Sequence, residues 1–288
     1  MPAQLLDGKS LAAQMRSEIA ADVAAFAGQH GRSPALAVVR AGEDPASVSY
    51  ARMLARSCDQ VGIAFVPHIL PAETEQSQLV HLVAQLSADP AVDGVIIQEP
   101  LPAAIRAESV IAALAPEKDV DGVHPVNAGR LMQGVGEYFA PATPSGGIEL
   151  LERHGITFAG KRAVVVGRSN VVGRPMAMLL LHRHATVTIC HSRTRELAAE
   201  CSRAEILVAA TGKAGLITGD MIAPGAVVVD FGVNFVDGKM VGDVDFAAAA
   251  ERAAWITPVP GGTGPMTNMM LMRNVLRAAK LRYAPGVA

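Results

Sequence analysis

Cysteine is scarce in this chain, three residues among 288, and Cys58, Cys190 and Cys201 are too scattered to frame a disulfide-stapled fold. No Cys-x-x-Cys pair offers a zinc site, and His182, His184 and His191 lack a carboxylate or thiol at a ligand spacing, so they read as surface or supporting residues. Thiols in this number suit a reducing cytoplasm, the expected location. A one-sided charge is missing too: 25 basic against 27 acidic side chains give no field to hold a nucleic-acid backbone or an anionic membrane. No run approaches the roughly 18 apolar residues of a membrane span, and the N-terminus has no basic segment followed by an apolar one. These absences leave a globular protein expected to work on small molecules, with neither nucleic acid nor membrane as partner.

What is present is length and apolar side chains. Half of the residues are hydrophobic, enough for a sizeable core, and the length suits two domains better than one. After Ser10, read as an N-cap, apolar residues recur at helical spacing as far as Gly31, a helix stop. Short continuous apolar runs at 35–40, 63–70 and 93–98 alternate with helical patterns, and so do runs at 161–167, 185–190, 205–210 and 226–232. This predicts an α/β protein with two parallel sheets covered on both faces. The stretch 118–147, rich in Gly, Pro and Asn, carries the passage between them, with the boundary near residue 140. The expected arrangement is an N-terminal α/β substrate domain over 1–140 and a Rossmann-type dinucleotide-binding domain over 141–264. The tail from Pro265 reads as an amphipathic helix over 265–288 returning to the first domain, its methionines filling core rather than forming a soft-metal face.

The turn "VVVGRSNVVGRP" (164–175) ends a strand in Gly167, passes through Arg168 and Ser169, and opens a helix at Gly173. That places helix N-terminal amides where a diphosphate binds. The pattern G-R-S-x-x-x-G-x-P is a variant of the dinucleotide fingerprint, and glycines alone would equally make a tight turn. About 20 residues on, where an NAD site carries Asp or Glu for the ribose hydroxyls, the next strand ends "ICHSRT". This favours NADP: Arg168 and Arg193 can pair with a 2′-phosphate and Ser192 can hydrogen-bond to it, the alternative being that the arginines, Arg193 more than Arg168, are ordinary surface residues. At the end of "VVVDFGVN" (227–234), Gly232 permits close backbone approach and Val233 can pack on a ring of the cofactor; either residue also suits a simple turn.

Ligands of open α/β sheets bind beyond the carboxyl ends of the strands, which makes Gln98, Glu99 and the helix carrying Tyr50 candidates for the substrate end. Tyr50 and Leu54 lie four apart on that helix and share a side, either lining the site or packing together in the core. Asp121 in "DVDG" is either a substrate contact or a carboxylate that makes a turn.

Taken together, "QEPLP" (98–102), "KDVDGVHPVNAGRL" (118–131), "TPSGGIELL" (143–151), "VVVGRSNVVGRPMAMLLL" (164–181), "ATVTICHSRT" (185–194) and "TPVPGGTGPMT" (257–267) give the chain its resemblance to the methylenetetrahydrofolate dehydrogenase/cyclohydrolase family over nearly its full length. The resemblance implies tetrahydrofolate derivatives as substrate and a homodimer. It also implies Asp121 on the pterin ring and Pro260, Gly261 and Gly262 lining the folate cleft. Two positions depart from the family. Its Tyr-x-x-x-Lys helix keeps Tyr50 but has Leu54 for lysine, and its Gln-Leu-Pro-Leu-Pro strand end keeps Gln98 but has Glu99 for the first leucine. The resemblance gives the lysine, oriented by the glutamine, the proton transfers of methenyl hydrolysis, which leucine cannot perform.

Hydride transfer from the one-carbon bridge to a nicotinamide needs positioning more than a base, so dehydrogenation is expected to survive where cyclohydrolase activity is weak or absent. Glu99 has several readings: an ion pair with Arg52 or Arg56, stabilisation of the cationic product, a substitute base, or a solvated rim position. A dehydrogenase retuned to another pterin or a cyclic amine, and a non-catalytic folate- or nucleotide-binding paralogue, are the competing readings.

Overall fold

The computed structural model describes residues 2–283. The chain opens with β1 (Gln4–Leu5) and α1 (Gly8–His30), then β2 (Ala35–Ala41), α2 (Pro45–Val61), β3 (Ala64–Leu70), α3 (Gln76–Ala88), β4 (Gly94–Ile97), α4 (Ala107–Ile111) and α5 (Pro125–Gln133). It continues with α6 (Ala142–Arg153), β5 (Arg162–Val166), α7 (Gly173–Leu181), β6 (Thr186–Cys190), α8 (Leu197–Cys201), β7 (Ile206–Ala209), β8 (Val227–Asp230), β9 (Asn234–Val236), β10 (Lys239–Val241), α9 (Phe246–Ala250), β11 (Trp255–Ile256) and α10 (Thr263–Arg282). Two compact units result: Gln14–Ala142 with the chain from Asn268 onward, and the chain up to Ala13 with Thr143–Thr267. The last five residues of the expected tail helix lie outside the described residues. Among those described, no helix is long and apolar enough to cross a membrane.

In the first unit three parallel strands run in the order β3-β2-β4. The central strand β2 is buried throughout, which is why it reads as an apolar run, polar only at Arg40. One face of this sheet holds Ala37, Val39 and Val95 against Leu79, Val83 and Leu86 of α3 and Val110 of α4. The strand β3, expected to be covered on both faces, is an edge strand that keeps much of its length exposed. From Asn268, α10 packs in this unit: Asn274 Nδ2 donates to Val120 O at 2.8 Å and Arg277 Nη1 to Tyr138 O at 2.9 Å. Its Met269, Met270 and Met272 are buried, filling core. At the N-terminal ends of the strands the fully buried Asp93 accepts two bonds from Arg32 (2.7 and 2.6 Å), one from Arg282 (3.1 Å) and one from Ala35 N (2.8 Å). Its hydrogen bonds push the Arg32 guanidinium pKa further above the usual arginine range.

The second unit contains a parallel sheet of order β1-β11-β8-β7-β5-β6. Its core joins Val164, Leu207 and Val228 of the strands to Cys201 and Ala249 of the covering helices. The N-terminal residues, expected in the first domain, belong here instead: Gln4 and Leu5 pair with Trp255 and Ile256. A two-residue strand is too short to leave a sequence pattern, and only its pairing reveals it. Ser10 is likewise not the cap of α1 but lies inside its first turn, donating from N and Oγ to the carboxylate of Asp7.

Candidate functional site

The substrate-end residues are set by the junction of β2, β4 and α2. Asp44 caps α2 by accepting from Ala46 N and Ser47 N, and Pro45 occupies its first turn. Ser47 then fastens this turn to the end of β4: Gln98 Nε2 donates to Ser47 O at 3.1 Å and Ser47 Oγ donates to Glu99 O at 2.9 Å. Ser47 was invisible as a functional residue because its role lies in a contact 52 positions away along the chain. Gln98 is buried, whereas the Glu99 side chain is exposed, the Glu99–Pro100 peptide being cis.

Tyr50 is partly exposed, while Leu54 is fully buried at 0% exposure. The shared helical side thus divides: Tyr50 keeps contact with solvent and Leu54 belongs to the core. Burial, with the nearby Asp121 charge, raises the Tyr50 hydroxyl well above the usual tyrosine range, so it stays protonated and can donate. Asp121 is partly exposed, and its pKa is pushed up to about 6 by desolvation, then by the charges of Asp119 and Glu99. These couplings bring Tyr50, Glu99 and Asp121 into one electrostatic neighbourhood. The turn-making carboxylate of "DVDG" is Asp119, which accepts from Val123 N, His124 N and Asn127 Nδ2, leaving Asp121 unspent in the loop. Of the readings of Glu99, the ion pair with Arg52 or Arg56 is not formed: all three are exposed, and none of the ion pairs among the described residues joins them. An exposed carboxylate needs no partner, because water solvates it.

The second candidate site gathers at the carboxyl ends of β5 and β6. Gly167 has φ +134° and a Cβ there would lie 2.1 Å from Ala210 O, so only glycine permits the turn. A Cβ on Gly173 would lie 2.2 Å from Gly167 O, which forces the start of α7 close under the strand end. Ser169 Oγ accepts from Val172 N at 3.1 Å and Gly173 N at 3.4 Å, holding the helix entrance. Arg168, Ser169, Ser192 and Arg193 are exposed around it, and no acidic residue occurs in "CHSRT". Helix N–H groups, free cations and hydroxyls fit an anionic dinucleotide carrying an extra phosphate.

Val233 is exposed at 61% beside Gly232, whose N donates to Asp230. The signal that sequence reading missed here is a pair of buried carboxylates. Asp230 accepts from Gly232, Asp243 and Val244, and Asp243 accepts from Thr211, Gly212, Lys213 and Asn234. Together they pin the loops after β7 and β8. Pro260 is exposed after a cis peptide, Gly261 has φ +111°, and Lys9 N donates to Gly261 O. A Cβ on Gly8 would lie 1.8 Å from Gly262 O, so this loop and the first turn of α1 are in backbone contact. Gly261 and Gly262 therefore serve the packing of their own unit.

Two family models cover most of the chain. Residues 6–121 match the catalytic domain, and residues 141–283 the NAD(P)-binding domain, of the tetrahydrofolate dehydrogenase/cyclohydrolase family. The chain belongs to that family. Among its members, the bifunctional protein FolD of Chloroflexus aurantiacus is 56% identical over 283 residues, 98% of this chain and 99% of that one. The bifunctional FolD methylenetetrahydrofolate dehydrogenase/cyclohydrolase of Campylobacter jejuni superposes with a TM-score of 0.95 at 40% identity, over 97% of this chain and 99% of that one. The Trypanosoma brucei methylenetetrahydrofolate dehydrogenase-cyclohydrolase, solved with NADP cofactor and inhibitor, gives 0.93 at 35% identity over 98% and 99%. In family terms, the residues at β4 and α2 lie in the catalytic domain and those at β5 and β6 in the NAD(P)-binding domain.

Proposed function

We propose that this chain oxidises 5,10-methylenetetrahydrofolate to 5,10-methenyltetrahydrofolate with NADP, and that its cyclohydrolase activity is weak or absent. The dehydrogenase part is supported by relatives of solved structure that bear that activity in their names and by the basic, acid-free end of β6. The observation that carries the second part is Leu54, an apolar side chain buried in α2 at the position of the family lysine. The same reading has the chain working as a homodimer in the cytoplasm.

NADP, when bound, supplies the hydride acceptor. Arg168, Ser169, Ser192 and Arg193 would hold its phosphates and ribose, and the amides at the start of α7 would face the diphosphate. Asp121, when ionised, accepts from the donor edge of the pterin, and the protonated Tyr50 donates. Loss of hydride leaves a cation shared over two folate nitrogens, a step that needs alignment of two rings and no side-chain base. Hydrolysis of that cation does need a base, because the attacking water must shed a proton. Incubation with 5,10-methylenetetrahydrofolate and either NADP or NAD should give reduced NADP and methenyl product together, with less turnover on NAD and little formyl product. Formyl product appearing as fast as reduced cofactor would overturn the second part of this reading, and no hydride transfer would overturn the first.

Asp121→Asn is expected to lower kcat/KM by about 10- to 100-fold, since a hydrogen bond to a charged group contributes about 1.5–3 kcal/mol. In the unaltered protein kcat/KM should fall as pH drops below about 6, where Asp121 takes up a proton. The stability effect has the opposite sign. The folded carboxyl binds its proton more tightly than the unfolded one, so its contribution is full below the ordinary value of 3.8 and is lost as pH rises through about 6. The variant should therefore melt higher at pH 7 and show a shallower decline from pH 4 to 7; Asp230, also raised to about 6, keeps part of that slope in both proteins.

A further inference from the structure

Arg40 is the penultimate residue of the otherwise apolar strand β2, 6% exposed, and nothing in the chemistry above uses it. Among the described residues, Arg40 Nε and Gln98 Oε1 are both buried without a hydrogen-bond partner. Gln98 cannot resolve this by an amide flip, because its Nε2 is committed to the carbonyl of Ser47. Nor does Glu43 settle the guanidinium: it reaches only Nη1 and Nη2, at 3.3 and 3.4 Å, and its side chain is 77% exposed.

The two orphans are neighbours by register. Val39 pairs with Ile97, and Gln98 N donates to Val39 O at 2.9 Å. One position on, Arg40 and Gln98 emerge side by side on the same face, on strands about 4.8 Å apart. One atom is a donor, the other an acceptor. Each costs free energy while buried and unmet, and the register makes each a candidate partner for the other.

We propose that Arg40 is a positioning residue for the substrate site, its Nε–H donating to Gln98 Oε1. Gln98 is then held from both sides, by Ser47 O and by Arg40, and with it the Glu99–Pro100 turn. A guanidinium stays protonated at working pH, so it fixes geometry and supplies no base. The proposal rests on the folate-dehydrogenase reading for its activity assay but not for its structural one.

The test is a double-mutant cycle with Arg40→Met, Gln98→Met and the pair, read in kcat, KM and melting temperature. Arg40→Met is expected to lower kcat/KM about ten-fold in the unaltered background and less than about two-fold beside Gln98→Met, with the same non-additivity in melting. Equal losses in both backgrounds, or none in the first, would overturn it. If Arg40→Met fails to fold, Arg40→Gln, whose amide nitrogen takes the place of Nε, serves as the rescue variant: it should keep kcat/KM within about two-fold of the unaltered protein, and a loss of about ten-fold there would overturn the proposal. Absence of turnover in the unaltered protein would sink the dehydrogenase reading, while the melting cycle would still decide the Arg40–Gln98 bond.

Discussion

Leu54→Lys is expected to raise the hydrolysis of 5,10-methenyltetrahydrofolate by about 10²-fold or more, the contribution of a positioned acid–base group. The site favours such a gain because Leu54 is fully buried on α2, one turn beyond Tyr50. Burial disfavours the ammonium form and lowers a lysine pKa toward neutrality, where an amine serves as a base. Gln98 Oε1, unpartnered among the described residues, has two lone pairs, so beside the Arg40 Nε–H proposed above it can accept from that amine, the partner that the family resemblance gives the glutamine. The substitution also has a stability cost, since an amine replaces an apolar group in a core position, and the variant should melt below the unaltered protein. Leu54→Met is the control: it keeps length and apolarity, and it should leave hydrolysis unchanged. The measurement is decay of the methenyl species with formation of the formyl one, alongside reduced NADP from the dehydrogenase reaction. A folded Leu54→Lys protein with no gain would remove Leu54 as the cause of weak hydrolysis.

The parts legible in the sequence were those written in consecutive residues. The strand β2 is buried on both faces and therefore reads as an apolar run from Ala35 to Val39, and Gly167 to Gly173 reads as a strand-turn-helix because each glycine answers a local steric demand. What escaped depends on partners distant in sequence. The same apolar run that predicts β3 gave no hint that this strand lies at an edge, because edge position is a property of the pairing. Tyr50 and Leu54 share a helical side by spacing, yet the edge of the core passes between them. "DVDG" offers two carboxylates, and only the hydrogen bonds of Asp119 show which one makes the turn. Arg40 drew no reading of its own: it is the lone polar position in an apolar run, and Gln98, the partner proposed for it, lies nearly sixty residues away.

Asp93→Ala is expected to destabilise the first unit by about 3–5 kcal/mol, the scale for breaking a buried ion pair from one side. Asp93 is fully buried and receives four donors: two from Arg32, one from Arg282 and the backbone N–H of Ala35. After substitution, Arg32 and Arg282, at 26% and 31% side-chain exposure, can recover some hydration, which places the loss toward the lower end of that range. Ala35 N, at the first residue of β2, has no such recourse in its buried position. Asp93→Asn separates the contributions, because its carbonyl can still accept from Ala35 N while the charge facing two arginines is gone; its loss should be roughly half. Both variants should retain kcat and KM at low temperature. Asp93 precedes β4 and Gln98 follows it, so the two residues lie about 16 Å apart at opposite ends of the strand. Urea unfolding at pH 7 measures the loss, and the same curves locate it: only the transition that exposes β2, β4 and α10 should move. Asp93→Ala unfolding within about 1 kcal/mol of the unaltered protein would mean that solvated arginines, not the buried carboxylate, hold these strand ends.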